Sequence, residues 1–131
     1  SQPQPEYQNN LGALFNGMIH PCLNHNIKGI IWYQGENDVW KPDLYADMFK
    51  SLITDWRNKW RKKEMPFLYV QISLIPDESV QQTFRKKQQI SLANTGMVYS
   101  LDIGDPYDVH PRNKKVIGER LAEQAFRTAY K

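Results

Sequence analysis

The chain reads as an α/β protein built on a parallel sheet, and three observations predict that. Amphipathic stripes alternate with short apolar runs in the order helix, strand, helix, strand, helix, strand, helix, which is the order of parallel strands joined by crossover helices. The clearest strand-like run, Ile30-Ile31-Trp32-Tyr33, is continuously apolar, the mark of a strand covered on both faces. Polar residues able to do chemistry stand directly after these runs, where open α/β sheets collect their ligands. With 131 residues, 40% of them hydrophobic, the chain is of single-domain size and can bury a core.

Residues 1–10 are polar, contain two prolines and lack periodicity, so they read as a loose lead-in to a unit spanning 11–131. Leu11, Leu14, Phe15, Met18, Ile19, Cys22 and Leu23 recur at three and four, predicting a first helix that Pro21 kinks or shortens. Cys22, small and set in that apolar stripe, is expected to be buried. A strand over Lys28 to Tyr33 follows, and Pro42 opens a long helix whose stripe is Leu44, Tyr45, Met48, Phe49, Leu52, Ile53, Trp56 and Trp60. Pro66 to Ile72 is the second strand. A helix from about Val80 to Asn94, rich in glutamine and lysine and weakly amphipathic, is expected to lie on the surface. Its Arg85 and Gln88, three apart, share a face with two readings: one that looks toward the site and, by default, one that is solvated. Asn94-Thr95-Gly96 ends that helix, Met97 to Ile103 makes the third strand, and Val116 to Phe126 the last helix.

Composition excludes several classes. No run approaches the roughly 18 uninterrupted apolar residues of a membrane span, and nothing at the start reads as a signal peptide. A single cysteine rules out an internal disulfide and a cysteine-based zinc site, and His20 and His25 have no partners at ligand spacing, so no metal or cofactor is expected. The net charge of +3 is modest, and its excess crowds one helix end at Arg57, Lys59, Arg61, Lys62 and Lys63. Those cations complement the helix dipole and are expected to stay solvated. A nucleic-acid patch is the sharper alternative; Trp56 and Trp60 fall on the apolar face, as core residues do, and no nucleic-acid partner is expected.

Two stretches carry chemistry. From Asp102 to Pro111 the chain leaves the third strand and approaches the last helix, with His110 in the connection. Pro111 fits a first helical position, which would make His110 the cap and let the helix dipole hold its ring neutral, ready to accept a proton. Asp108, Asp105 and Asp102 stand near it as orienting carboxylates. After the first strand, Gln34-Gly35-Glu36-Asn37-Asp38 sets amides and carboxylates around a glycine that lets the backbone turn sharply. Gln34 can donate an N–H to an oxyanion, and Glu36 can orient a substrate or the histidine. Each stretch, taken alone, also reads as a polar turn. Ser73 lacks the glycine-flanked setting of a nucleophile elbow.

Together these stretches resemble the sialate O-acetylesterase group of the SGNH hydrolase superfamily. The resemblance rests on Gly29-Ile30-Ile31-Trp32-Tyr33-Gln34-Gly35-Glu36-Asn37, on Asp102-Ile103-Gly104-Asp105-Pro106, on Asp108-Val109-His110-Pro111 and on Gly118-Glu119-Arg120-Leu121-Ala122. Asn16-Gly17-Met18-Ile19 with Pro21, and Tyr69-Val70-Gln71, extend it over most of 11–122. It implies a flavodoxin-like three-layer sandwich of which this chain supplies about three strands and four helices. It also implies an acetylated carbohydrate substrate and a secreted or periplasmic setting, although no residue here fixes the compartment. His110 matches the family's general base, and Gln34, Gly35 and Glu36 match its active-site segment. The acid has two readings. Superfamily members often place it three residues before the histidine, where this chain has Tyr107, so either Asp108 orients the ring or serine and histidine work as a pair with other groups holding the ring.

The family's nucleophilic serine sits in an upstream Gly-Gln-Ser-Asn segment that these residues do not contain. The chain is therefore expected to be the C-terminal portion of an esterase domain, inactive alone because a base without a hydroxyl cannot run acyl transfer. Its first strand is expected to be an apolar open edge that pairs with the rest of the domain or with another copy, or else leaves the chain poorly stable. The alternative is a non-catalytic α/β module that binds a sugar or a protein.

Overall fold

The computed structural model describes residues 10–73, 78–105, 107–108 and 112–130. Of the lead-in expected over 1–10, all but Asn10 lies outside them, as does His110. Strands β1 (Ile30–Trp32), β2 (Phe67–Gln71) and β3 (Thr95–Tyr99) form a parallel sheet in the order β1-β2-β3, with Trp32 beside Tyr69 and Tyr69 beside Met97. Helices α1 (Pro42–Lys59), α2 (Glu78–Gln88) and α3 (Lys114–Ala129) alternate with them. The predicted α/β class and parallel crossover topology are those observed.

Alternation along β2 divides the core. Phe67 and Tyr69 face α1 and α2, where Phe49, Ile53, Tyr45, Ile72 and Phe84 close around them, while Val70 packs with Val98 of β3 and Ile117 of α3 on the opposite side. All five residues of β2 are buried, as a central strand between two helical layers requires. Trp32 stacks on Phe49 at 6.0 Å and meets Trp56 edge-on at 5.9 Å, so Trp56 is core, as its place on the stripe predicts.

The other differences have local causes. The first stripe is not a regular α-helix: Phe15–Ile19 is a π-helical turn and His20–Cys22 a 3-10 turn that begins around Pro21. Its apolar residues Leu11, Leu14 and Met18 stand in solvent and Cys22 is exposed rather than buried, while Phe15 lies under Lys59 of α1. β1 is shorter than predicted and open on one edge among the described residues, so Ile31 is 68% exposed although its neighbours are not. Arg57 is buried, not solvated: its Nε donates to Met65 O at 2.9 Å and Nη2 to Ala93 O and Asn94 O at 2.8 and 3.0 Å. Burial depresses its pKa, which the nearby Glu64 charge partly restores. This guanidinium ties the end of α1 to the entrances of β2 and β3.

α2 departs most from expectation. It ends at Gln88 instead of Asn94, and Gln81, Phe84, Arg85 and Gln88 form a buried face, three of them fully inaccessible. Asn94, at φ +53°, instead turns the chain into β3, which begins two residues early at Thr95 and gives way at Leu101–Ile103 to a 3-10 turn. α3 begins at Lys114 with Asn113 as its N-cap, so Pro111 is not its first residue and His110 is not its cap; the dipole argument for a neutral ring therefore falls. No described helix is long and apolar enough to cross a membrane.

Candidate active site

At the carboxyl end of the sheet, where the strands splay, side chains replace the backbone ladder. Between β2 and β3, the buried Ser100 hydroxyl donates to Gln71 O at 2.6 Å. Between β1 and β2, the fully buried Gln88 amide spans the gap: Oε1 accepts from Ile72 N–H at 3.0 Å and Nε2 reaches Gln34 O at 3.5 Å. Gln71 Nε2 donates to Arg85 O at 3.1 Å, and Arg85 Nη1 to Gln81 Oε1 at 2.8 Å, so α2 is seated by a polar seam. Buried polar groups of this kind are stabilising only when paired, and here the pairing defines how the strand ends sit.

The Gln34-Gly35-Glu36 segment turns off β1 into a 3-10 turn at Glu36–Asp38. Gly35 adopts φ +147°, and a Cβ there would stand 2.9 Å from Phe84 Cε1 and 3.1 Å from both Gln88 Nε2 and Ile72 Cγ2. Glycine is required by the backbone angle and by the space together. The Gln34 carbonyl also accepts from the Tyr45 hydroxyl at 3.1 Å. Burial raises the Tyr45 pKa; the neighbouring Gln88 amide and Trp32 indole lower it in part, and the charges of Asp38 and Glu36 push it up further. Tyr45 thus stays a neutral donor. Gln34 Nε2 donates to Asp38 Oδ2 at 2.5 Å, which orients the amide and leaves its second N–H for another acceptor.

Beyond β3, Arg120 of α3 binds both carboxylate oxygens of Asp102, at 2.8 and 2.6 Å, and donates to Tyr99 O at 2.6 Å. That hydrogen bond holds the Asp102 carboxyl below its usual range. Asp105 and Asp108 pair as an isolated bridge, and Asp105 Oδ1 accepts from Tyr107 N–H at 2.8 Å. Gln34, Gly35 and Glu36 therefore follow β1 and Asp108 follows β3 by way of the 3-10 turn at Leu101–Ile103, with β2 between the two strands. Ser73 is buried just past β2. Among the described residues no three His, Cys, Asp or Glu side chains are grouped to hold a metal.

The sequence match that decides the family covers residues 4–127: the model of carbohydrate esterases described as sialic acid-specific acetylesterase. The chain belongs to that family. Curated relatives include the sialate O-acetylesterases of Rattus norvegicus, 35% identical over 90% of this chain, and of Homo sapiens, 33% identical over 90%. A carbohydrate acetylesterase structure from Xanthomonas citri is similar with a TM-score of 0.85 and 37% identity over 89% of the chain. The chain spans 26% of the rat protein and 29% of the Xanthomonas chain, so it represents about a quarter of its relatives' length.

Within this esterase-family chain, the sequence points to Arg85 and Gln88 as a face that can look toward the site, and gives no sign of Gln81, Phe84 or the Tyr45 hydroxyl. Tyr45 was expected only as packing, yet its hydroxyl fixes the Gln34 carbonyl. Gln81, Phe84, Arg85 and Gln88 do recur at three, four and seven, a helical stripe whose polar members hide it from a hydrophobic pattern.

Proposed function

We propose that residues 11–131 are the C-terminal portion of a carbohydrate O-acetylesterase domain, and that the whole protein hydrolyses acetyl esters on sugars by serine–histidine acyl transfer. A serine hydroxyl outside residues 1–131 attacks the acetyl carbonyl carbon while His110 takes its proton. The carbonyl electron pair moves onto oxygen, where the free N–H of Gln34 binds it. Collapse expels the sugar hydroxyl, protonated by His110, and leaves an acetyl-serine. Water then attacks the acyl carbon and gives its proton to His110; the bond from that carbon to the serine oxygen breaks, His110 returns the proton to the serine, and the acetic acid leaves and ionises to acetate. Asp108 orients the imidazole, and Glu36 shapes the substrate side. These steps call on no metal or organic cofactor.

The observation that carries this reading is the Gln34-Gly35-Glu36 turn, held at the carboxyl end of β1 by Tyr45, Gln88 and Phe84 in a chain of this family. Acetylated sugar is the substrate class shared by the names of the curated and solved relatives. The test is acetate release from a peracetylated sugar by the protein carrying this chain with the rest of its domain. His110→Ala should lower the rate by more than roughly a thousandfold. An undiminished rate would remove His110 from the mechanism, and an inert parent protein would remove the esterase reading.

The same proposal assigns an occupant to the open side of the sheet. Leu44 and Met48 are exposed along a groove of about 360 Å³ that Trp32, Tyr45, Phe49 and Leu52 also line. The rest of the esterase domain covers this face. The chain alone should therefore self-associate on an exclusion column and become monodisperse when co-expressed with the upstream portion. A well-behaved monomer alone would refute this pairing.

A further inference from the structure

We infer that Gln88 is a positioning residue for the Gln34-Gly35-Glu36 turn, and so for the N–H that meets the oxyanion; the inference rests on the esterase reading of that turn. Three observations converge on it. Gln88 is fully buried, although glutamine is costly to bury without partners. Its amide bridges two strand ends that the backbone ladder no longer joins, accepting from Ile72 N–H and donating to Gln34 O. Its Nε2 also lies 3.1 Å from where a Gly35 Cβ would be, so amide and turn are in packing contact. The Gln34 carbonyl is thus held from α1 by Tyr45 and from α2 by Gln88, and the position of the Gln34–Gly35 peptide follows from both helices. Asp38 N–H closes the turn onto Gly35 O at 2.9 Å, and Gln34 Nε2 is aimed by Asp38, so a displaced carbonyl displaces the oxyanion donor as well.

The two ends of the Gln88 amide can be separated by substitution in the complete esterase domain containing this chain. Gln88→Glu keeps the size and the acceptor for Ile72 N–H and, assayed at a pH high enough to ionise the buried carboxyl, turns the donor into an oxygen facing the Gln34 carbonyl. Gln88→Met keeps the size and removes both bonds. Rates are referred to the folded fraction measured by circular dichroism, and amide exchange is read by NMR at Asp38 and Ile72. Gln88→Glu should lower kcat roughly 10- to 100-fold with KM within about twofold, because a misplacement of about 1 Å costs that much. It should speed exchange at Asp38 roughly fivefold while Ile72 stays protected, and Gln88→Met should loosen both. A structural role alone would loosen the two amides together in both variants, and that result overturns the inference. So does an unchanged kcat, or a lost kcat with Asp38 exchange unchanged. If the parent domain releases no acetate, the esterase reading fails, and selective loosening at Asp38 in Gln88→Glu still upholds or, by its absence, overturns Gln88 as the residue that positions the turn.

Discussion

Replacing Gly35 by alanine adds one methyl group at the tightest point behind the turn, and its cost can be worked from two terms. The backbone stands at φ +147°, a region that L residues occupy only under strain of about 1–3 kcal/mol. The new Cβ would also stand 2.9 Å from Phe84 Cε1 and 3.1 Å from Ile72 Cγ2. Both side chains are wholly inaccessible, so neither can swing into solvent, and overpacking of this kind costs about 1–3 kcal/mol more. The sum is about 2–6 kcal/mol. At about 4 °C per kcal/mol for a chain of this size, Gly35→Ala should melt at least about 8 °C below the parent. Thermal denaturation followed by far-UV circular dichroism is the assay. Gly118→Ala is the matched control: Gly118 lies in α3 with nothing within 4 Å of its would-be Cβ, so alanine there should stabilise by about 0.5–1 kcal/mol. A melting temperature for Gly35→Ala within about 2 °C of the parent would refute the reasoning.

Three further outcomes follow from buried or paired groups. Arg57→Met leaves the carbonyls of Met65, Ala93 and Asn94 without their donor and should cost about 3 kcal/mol in urea denaturation; a loss under about 1 kcal/mol would show that water replaces the guanidinium. Burial raises the Tyr69 hydroxyl to about 12 from an ordinary 10.0, so the folded state favours the protonated form. The stability this group supplies is complete below pH 10.0 and is lost as pH rises towards about 12; Tyr69→Phe should flatten that part of a melting-temperature profile, and an unaltered profile would rule the group out. Asp102 runs the other way. Its pKa is depressed by Arg120, so its contribution is present above its ordinary 3.8 and disappears as pH falls through the lower folded value; Asp102→Asn should remove that acid limb, seen by comparing melts between neutral pH and pH 2.

Much of the site was legible because its signals are local. Gln34, Gly35 and Glu36 follow a β-branched run directly, and a glycine at a strand end announces a turn without any knowledge of what lies behind it. What lies behind it was not legible. Phe84 and Gln88 are about fifty residues away in the chain; the shared face of Arg85 and Gln88 can be read as looking toward the site, but a stripe written in glutamine and arginine does not say which strand ends it meets. Arg57 is hidden for the same reason: Lys59, Arg61 and Lys62 beside it are charged too, and what distinguishes it is burial with three carbonyls converging on one guanidinium. Conversely, the stripe from Leu11 to Leu23 has helical spacing, yet Leu11, Leu14 and Met18 stand in solvent and Pro21 lies in a 3-10 turn.

The amino-acid sequence by itself determined the alternation of strands and helices, the crossover topology and the family, because periodicity and short motifs are properties of neighbouring residues. Tertiary structure alone decided which polar side chains are buried and what they hold. A glutamine is indifferent to helix face until a second strand end offers it both a donor and an acceptor, and Gln88 finds both, at Ile72 N–H and Gln34 O. Burial of a polar group is stable only when its partners converge, and convergence is set by the packing of α1 and α2 on the sheet, which no local stretch of the chain contains.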